Sequence, residues 1–137
     1  GDGRLYVIVT DGGEARMGQV WEIDPRRERL RLVFQSPGAP VLNMPDNVAL
    51  SPRGGLVLCE DGTAGAHLRG LSRDGRIFPF AHNNIRIDEP RNGLTGDFSQ
   101  REFAGATYSP DGRWLFFNAQ TPGISFAVTG PWADGGL

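Results

Sequence analysis

The sequence has almost no cysteine, no long apolar run, no cluster of basic residues and no helical periodicity. Cys59 is its one cysteine, so an internal disulfide is excluded and cysteine usage points to no redox compartment. No apolar stretch approaches the ~20 residues that carry a helix across a bilayer, so no membrane partner is expected. No segment has the regions of a signal peptide. The chain opens Gly1-Asp2-Gly3 without Met, and its ends are expected to be those of a fragment or a processed product. Formal net charge is −2, and the pair Arg26-Arg27 is hemmed by Asp24 and Glu28. That balance argues against a nucleic-acid partner. No window sustains apolar residues at i, i+3, i+4 and i+7, so amphipathic helices are not expected.

What is present is turn chemistry and short apolar runs. Gly is 20 and Pro 10 of 137 residues, together above the average usage of roughly 12%. They stand singly or in pairs between runs rich in Val, Ile, Leu, Phe and Tyr, which read as strands. The strands expected are Leu5–Thr10, Val20–Asp24, Arg29–Phe34, Asn47–Ser51, Leu56–Glu60, His67–Leu71, Ile77–Ala81, Ala104–Ser109, Trp114–Asn118 and Ser125–Thr129. Pro90–Arg101 reads as a polar insertion.

One hairpin occurs twice. PDNVALSPRGGLVLCEDG (Pro45 to Gly62) and EFAGATYSPDGRWLFFNAQT (Glu102 to Thr121) superpose on their Ser-Pro pairs, 58 residues apart. Each is a strand, a tight SPxG turn and a second strand. Four sequential antiparallel strands, repeated, are the pattern of a propeller blade. The expectation is an all-β chain: a β-propeller fragment of about two and a half to three four-stranded antiparallel blades. It forms one partial domain, 1–137, with blade remnants at 1–37, 45–82 and 102–137. The first group lacks an opening strand and the last a closing one. Open edges invite pairing, so the missing blades of the same protein, or a self-assembled copy, are expected partners. A single β-sandwich is the alternative from the same strands.

The outer ends of the two hairpins carry polar and acidic residues. Counting outward from the turn brings Asp46 and Asn47 level with Glu60 and Asp61. The second copy places Glu102 at its start and Asn118 and Gln120 at its end. In a propeller these ends crowd one rim of the channel. Close carboxylates repel and call for a cation or a proton, and oxygen ligands suit hard cations such as Ca²⁺. The simpler reading is that Asp46 and Asn47 cap a turn and Asp61-Gly62 is a loop tip. Alternation points Cys59 away from the face of Glu60. His67 and His82 are isolated and read as surface or structural residues. Ser51 and Ser109 are turn residues rather than nucleophiles. Trp114 and Phe116 alternate with Leu115 and Phe117, as in a strand packed between two blades, and Trp132 is placed to plug a surface between blades.

The segments MPDNVALSPRGGLVLCEDG, LRGLSRDGRIFPFAHN and EFAGATYSPDGRWLFFNAQTPGISFAVTGPW, nearly half the chain, resemble the PhoX-type alkaline phosphatase family. The NxQTPG run closing on TGPW is the most specific part. The resemblance implies the C-terminal portion of a periplasmic or secreted metal-dependent phosphatase, hydrolysing phosphate monoesters at a calcium and iron site in the propeller channel. It implies Ca²⁺, and second Fe³⁺, as cofactors, and a small phosphate-ester substrate. Carried over in order, the metal ligands it implies are Glu60, Glu102, Asp46, Asn47 and Asn118. Cys59 is not among them. Arg69 and Arg101 read as solvated surface, with phosphate contact the other role for each. The alternatives are a calcium-dependent lactonase-like propeller hydrolase and a non-catalytic propeller fragment.

Overall fold

The computed structural model describes residues 3–63, 66–132 and 135–137. Among them are twelve β-strands and no α-helix. The first sheet runs β1 (Leu5–Val9), β2 (Gln19–Asp24), β3 (Arg29–Gln35). The second runs β4 (Pro45–Leu50), β5 (Leu56–Glu60), β6 (His67–Leu71), β7 (Ile77–His82). A separate hairpin pairs β8 (Arg86–Arg91) with β9 (Leu94–Asp97), and the third sheet runs β10 (Phe103–Tyr108), β11 (Leu115–Ala119), β12 (Ile124–Val128). Every paired neighbour is antiparallel. Among the described residues no sheet closes on itself.

The ten strands read from apolar runs all form. The polar insertion at Pro90–Arg101 contributes to the β8–β9 hairpin, which begins before it at Arg86. Its turn is Asn92-Gly93, with both φ values positive at 50° and 79°. That geometry fits a two-residue hairpin turn, and Asn-Gly is the pair that tolerates it. The strands themselves are polar and exposed, which is why hydrophobicity alone gives no sign of them.

The SPxG turns are equivalent in detail. Gly54 N–H donates to Ser51 O, and Gly112 N–H to Ser109 O, each at 2.8 Å. Both glycines have positive φ, 97° and 68°, a region that other residues reach only with strain. SRDG at Ser72–Gly75 closes the β6–β7 turn with the same bond, 2.9 Å.

The second sheet is packed on both faces. Leu56 and Leu58 of β5 join Val20 of β2, Leu42 and Leu71 in one core cluster. Val57 and Cys59, pointing the other way, join Phe103, Ala106, Leu115 and Phe117 in the cluster shared with the third sheet. All five residues of β5 are therefore buried, the pattern of a strand covered on both sides. The outer sheets are covered on one face only. Leu5, Val7 and Val9 alternate outward on β1, and Leu30 and Leu32 are exposed on β3. On the third sheet Leu115 and Phe117 are buried, while Trp114 and Phe116 are 42% exposed. The expectation that both faces of this strand are packed is thus met on one face. Trp132 packs near the rings of Phe80 and Tyr108, at 6.1 and 5.8 Å between centroids, joining the second and third sheets as its sequence context suggested.

Candidate functional site

The site forms at the end of each hairpin opposite its turn. Register in the first hairpin pairs Pro45 with Glu60 and Asn47 with Cys59, leaving Asp46 as the extra residue of a bulge. A bulge re-aims the side chain it carries. Asp61 N–H donates to Met44 O at 3.1 Å just beyond the last pair, and Gln120 N–H donates to Glu102 O at 3.1 Å in the second hairpin. The two ladders thus end alike. The sheets that carry them are bound side by side: Asn47 Oδ1 accepts from Ala106 N–H of β10 at 3.0 Å.

This arrangement brings Asp46, Asp61 and Glu102 together, with one oxygen from each lying within 4.8 Å of the others. Asp46 and Asp61 are exposed and Glu102 is part-buried. None of the three forms an ion pair among the described residues. A hydrogen bond with the Asp61 carboxyl, then burial, then the charges of Asp61 and Asp46 push the Glu102 carboxyl up to about 7. Burial, followed by the Asp61 charge, raises Asp46. The cluster therefore holds more negative charge than its surroundings offset, and it relieves this by keeping a proton. A cavity of about 230 Å³ opens beside it, walled by Asp61, Thr63, Arg101, Glu102, Gln120 and Thr121.

Of the five ligands the resemblance implied, Asp46 and Glu102 lie in this cluster. The third member, Asp61, was placed on the rim by counting along the hairpin but was left out of the ligand set. The other three side chains are engaged elsewhere. Glu60 is 1% exposed. Its Oε1 accepts from Arg69 Nε at 2.7 Å and from Asn43 N–H at 3.0 Å, and its Oε2 lies 3.1 Å from His67 Nδ1. Arg69, expected at the surface, is buried in this pair and also donates to Pro40 O at 3.3 Å. Two elements with inward faces fixed by packing leave both charges inside, where each needs the other. Asn118 Nδ2 donates to Ala104 O at 3.3 Å, and its Oδ1 accepts from Ser125 Oγ at 2.7 Å. Asn47 Oδ1, besides accepting from Ala106, lies 3.5 Å from Cys59 Sγ. His67 and His82 are directly paired across β6 and β7, their rings stacked at 4.5 Å.

The donor set of the cluster is oxygen alone, which fits a hard cation such as Ca²⁺. Cys59 adds nothing to it. Burial, the largest influence, pushes its thiol up to about 12, and a thiol must lose its proton to ligate.

A family model, alkaline phosphatase PhoX, matches residues 1–123. Neither the curated proteins nor the solved structures gave a match. Because the matched span is most of the chain and takes in β1 to β11 with all three rim carboxylates, the chain belongs to the alkaline phosphatase PhoX family.

Proposed function

We propose that this chain supplies part of the metal centre of a phosphatase acting on phosphate monoesters, with Asp46, Asp61 and Glu102 holding Ca²⁺. The observation that carries this is the convergence of three carboxylates from two neighbouring hairpins, in a chain of this family. A bound cation would neutralise charge on the phosphoryl oxygens and polarise an attacking oxygen. Three single donors fall short of the 6–8 oxygens that Ca²⁺ takes, so water, substrate or further chain completes the set. A rim of oxygen donors favours calcium over iron as its first occupant.

The chain's own residues have separable roles in this reading. Before a cation binds, the hydrogen bond with Asp61 and burial raise the Glu102 carboxyl to about 7, and a bound cation would favour its ionised form. Arg101, on the cavity wall, offers a guanidinium to phosphoryl oxygens. Glu60 and Arg69 brace Asn43 and Pro40 and so fix the backbone that leads into β4 and Asp46.

We read the three larger sheets as propeller blades. β1 packs against β4 as β5 packs against β10, which supports β1 as the second strand of a blade without its first. The open apolar faces at Leu5, Val7 and Val9 and at Trp114 and Phe116 then belong against further blades of the same protein or a second copy of the chain. A periplasmic or secreted setting accompanies this reading through the family.

The test assays the full protein carrying this chain with a phosphate monoester and a lactone side by side. Calcium-dependent phosphate release should fall by about 10- to 100-fold in Asp61→Asn/Glu102→Gln. Undiminished release in that variant would refute the rim, and lactone turnover without phosphate release would replace the substrate class.

A further inference from the structure

At the turn end of the inner strands, away from the acidic rim, a second cavity of about 720 Å³ lies among the three larger sheets. Its walls include Arg4 from the start of the first sheet, Arg53 from the β4–β5 turn and Arg73 from the β6–β7 turn. Among the described residues, no Asp or Glu lines it. The chain contains no lysine, so all 14 of its basic residues are arginine. Arg4 donates to Glu22 at 3.3 Å. Arg53 and Arg73 are exposed and form no ion pair among the described residues. They are also brought close: a Cβ added at Gly54 would stand 2.9 Å from Arg73 Nε, so the Arg73 head lies over the turn that carries Arg53.

Hydroxyl groups share the same walls. Ser51, Thr107 and Tyr108 line the cavity. The Tyr108 hydroxyl is buried beside the Ser51 hydroxyl. Burial raises its pKa; the Ser51 hydroxyl, and after it the Arg53 charge, act the other way. Glu22 engages Arg4 and Tyr6 at one wall and Asp111 engages Ser109 at another; the guanidinium forks of Arg53 and Arg73 beside the remaining hydroxyls match a compact ion that presents several acceptor oxygens.

We infer that this groove binds a phosphate dianion, free or as the head of an ester, through Arg53 and Arg73. The site is distinct from the acidic rim in residues and in charge, so it stands or falls independently of the phosphatase reading.

The experiment is calorimetric titration of the chain with inorganic phosphate at about pH 8, where phosphate is a dianion, in low salt. One site should appear, weakened at least about tenfold in Arg53→Ala/Arg73→Ala and weakened also by added salt. It should be retained in Asp46→Asn/Asp61→Asn/Glu102→Gln. Both arginines are exposed, so a melting curve like the wild type's is expected; Arg53→Gln/Arg73→Gln removes the charge alone should truncation disturb the turns. A second arm uses methylphosphonate. Equal binding assigns the groove to the phosphoryl head in general, and binding of phosphate alone assigns it to the free ion. No binding of either, binding that survives both double variants, or binding lost only in the rim variant overturns the inference.

Discussion

Glu60→Ala should destabilise the chain by about 3–5 kcal/mol, the cost of removing one partner from a buried ion pair. The carboxylate is 1% exposed and Arg69 is 8% exposed. Without Glu60, the Arg69 guanidinium keeps only Pro40 O, at 3.3 Å, among the partners described for it, and Asn43 N–H loses its acceptor. His67 loses a partner too. Its pKa is lowered, by burial first and then by the Arg69 charge, and its contact with Glu60 is the 3.1 Å bond at Nδ1. Glu60→Gln keeps an acceptor for Arg69 and should cost roughly half as much. Urea unfolding of the two variants reads the difference. Calcium affinity measured on folded Glu60→Gln should stay within about threefold of wild type, since the side chain is committed to the interior. A large loss of affinity with little loss of stability would return Glu60 to the ligand set.

Replacing two rim carboxylates should have the opposite signature. In Asp61→Asn/Glu102→Gln, calcium affinity should fall by about 100-fold or more. Each charge near a surface is worth roughly 1–4 kcal/mol to a cation at contact distance. Stability without calcium should rise. The Glu102 carboxyl is up to about 7, against 4.5 for the free side chain, so the folded state holds a proton there that the unfolded chain has lost. Its contribution is present below about pH 4.5 and is lost as pH rises through about 7. The metal-free chain should therefore melt lower as pH rises across that window. Glu102→Gln should lack this component and be more stable near pH 8 by on the order of 1 kcal/mol, after allowance for solvent screening. His67 titrates nearby with the opposite sign, so the difference between wild type and Glu102→Gln isolates the rim. Saturating calcium should flatten the wild-type dependence.

These two residues also mark where sequence reading succeeds and where it stops. The placement of Asp46 and Glu102 at the hairpin ends is legible because strand order and SPxG turns place those ends, and turn chemistry is local. Which acidic side chain stands beside Asp46 turns on one bulge. Counting along an unbroken ladder sets Asp46 level with Glu60 or Asp61; the extra residue at Asp46 turns its side chain toward Asp61. Nothing in PDNVAL announces that bulge. The burial of Glu60 and Arg69 depends on a neighbouring sheet covering the second face of the β4–β7 sheet, a long-range fact that alternation within β5 does not encode. The β8–β9 hairpin is a different case: Asn92-Gly93 is a strong turn signal, but its strands RIDEPR and LTGD are polar and carry no apolar run to mark them.

On this reading Asp46, Asp61 and Glu102 form a cation site that keeps a proton at Glu102 until a cation replaces it. Carboxyl carbon NMR of Glu102, titrated without and with calcium, tests it most directly. A midpoint of about 7 without calcium, falling below that of an ordinary glutamate when calcium is added, is the expected result. A midpoint near 4.5 in both titrations, or one that calcium leaves unmoved, would contradict it.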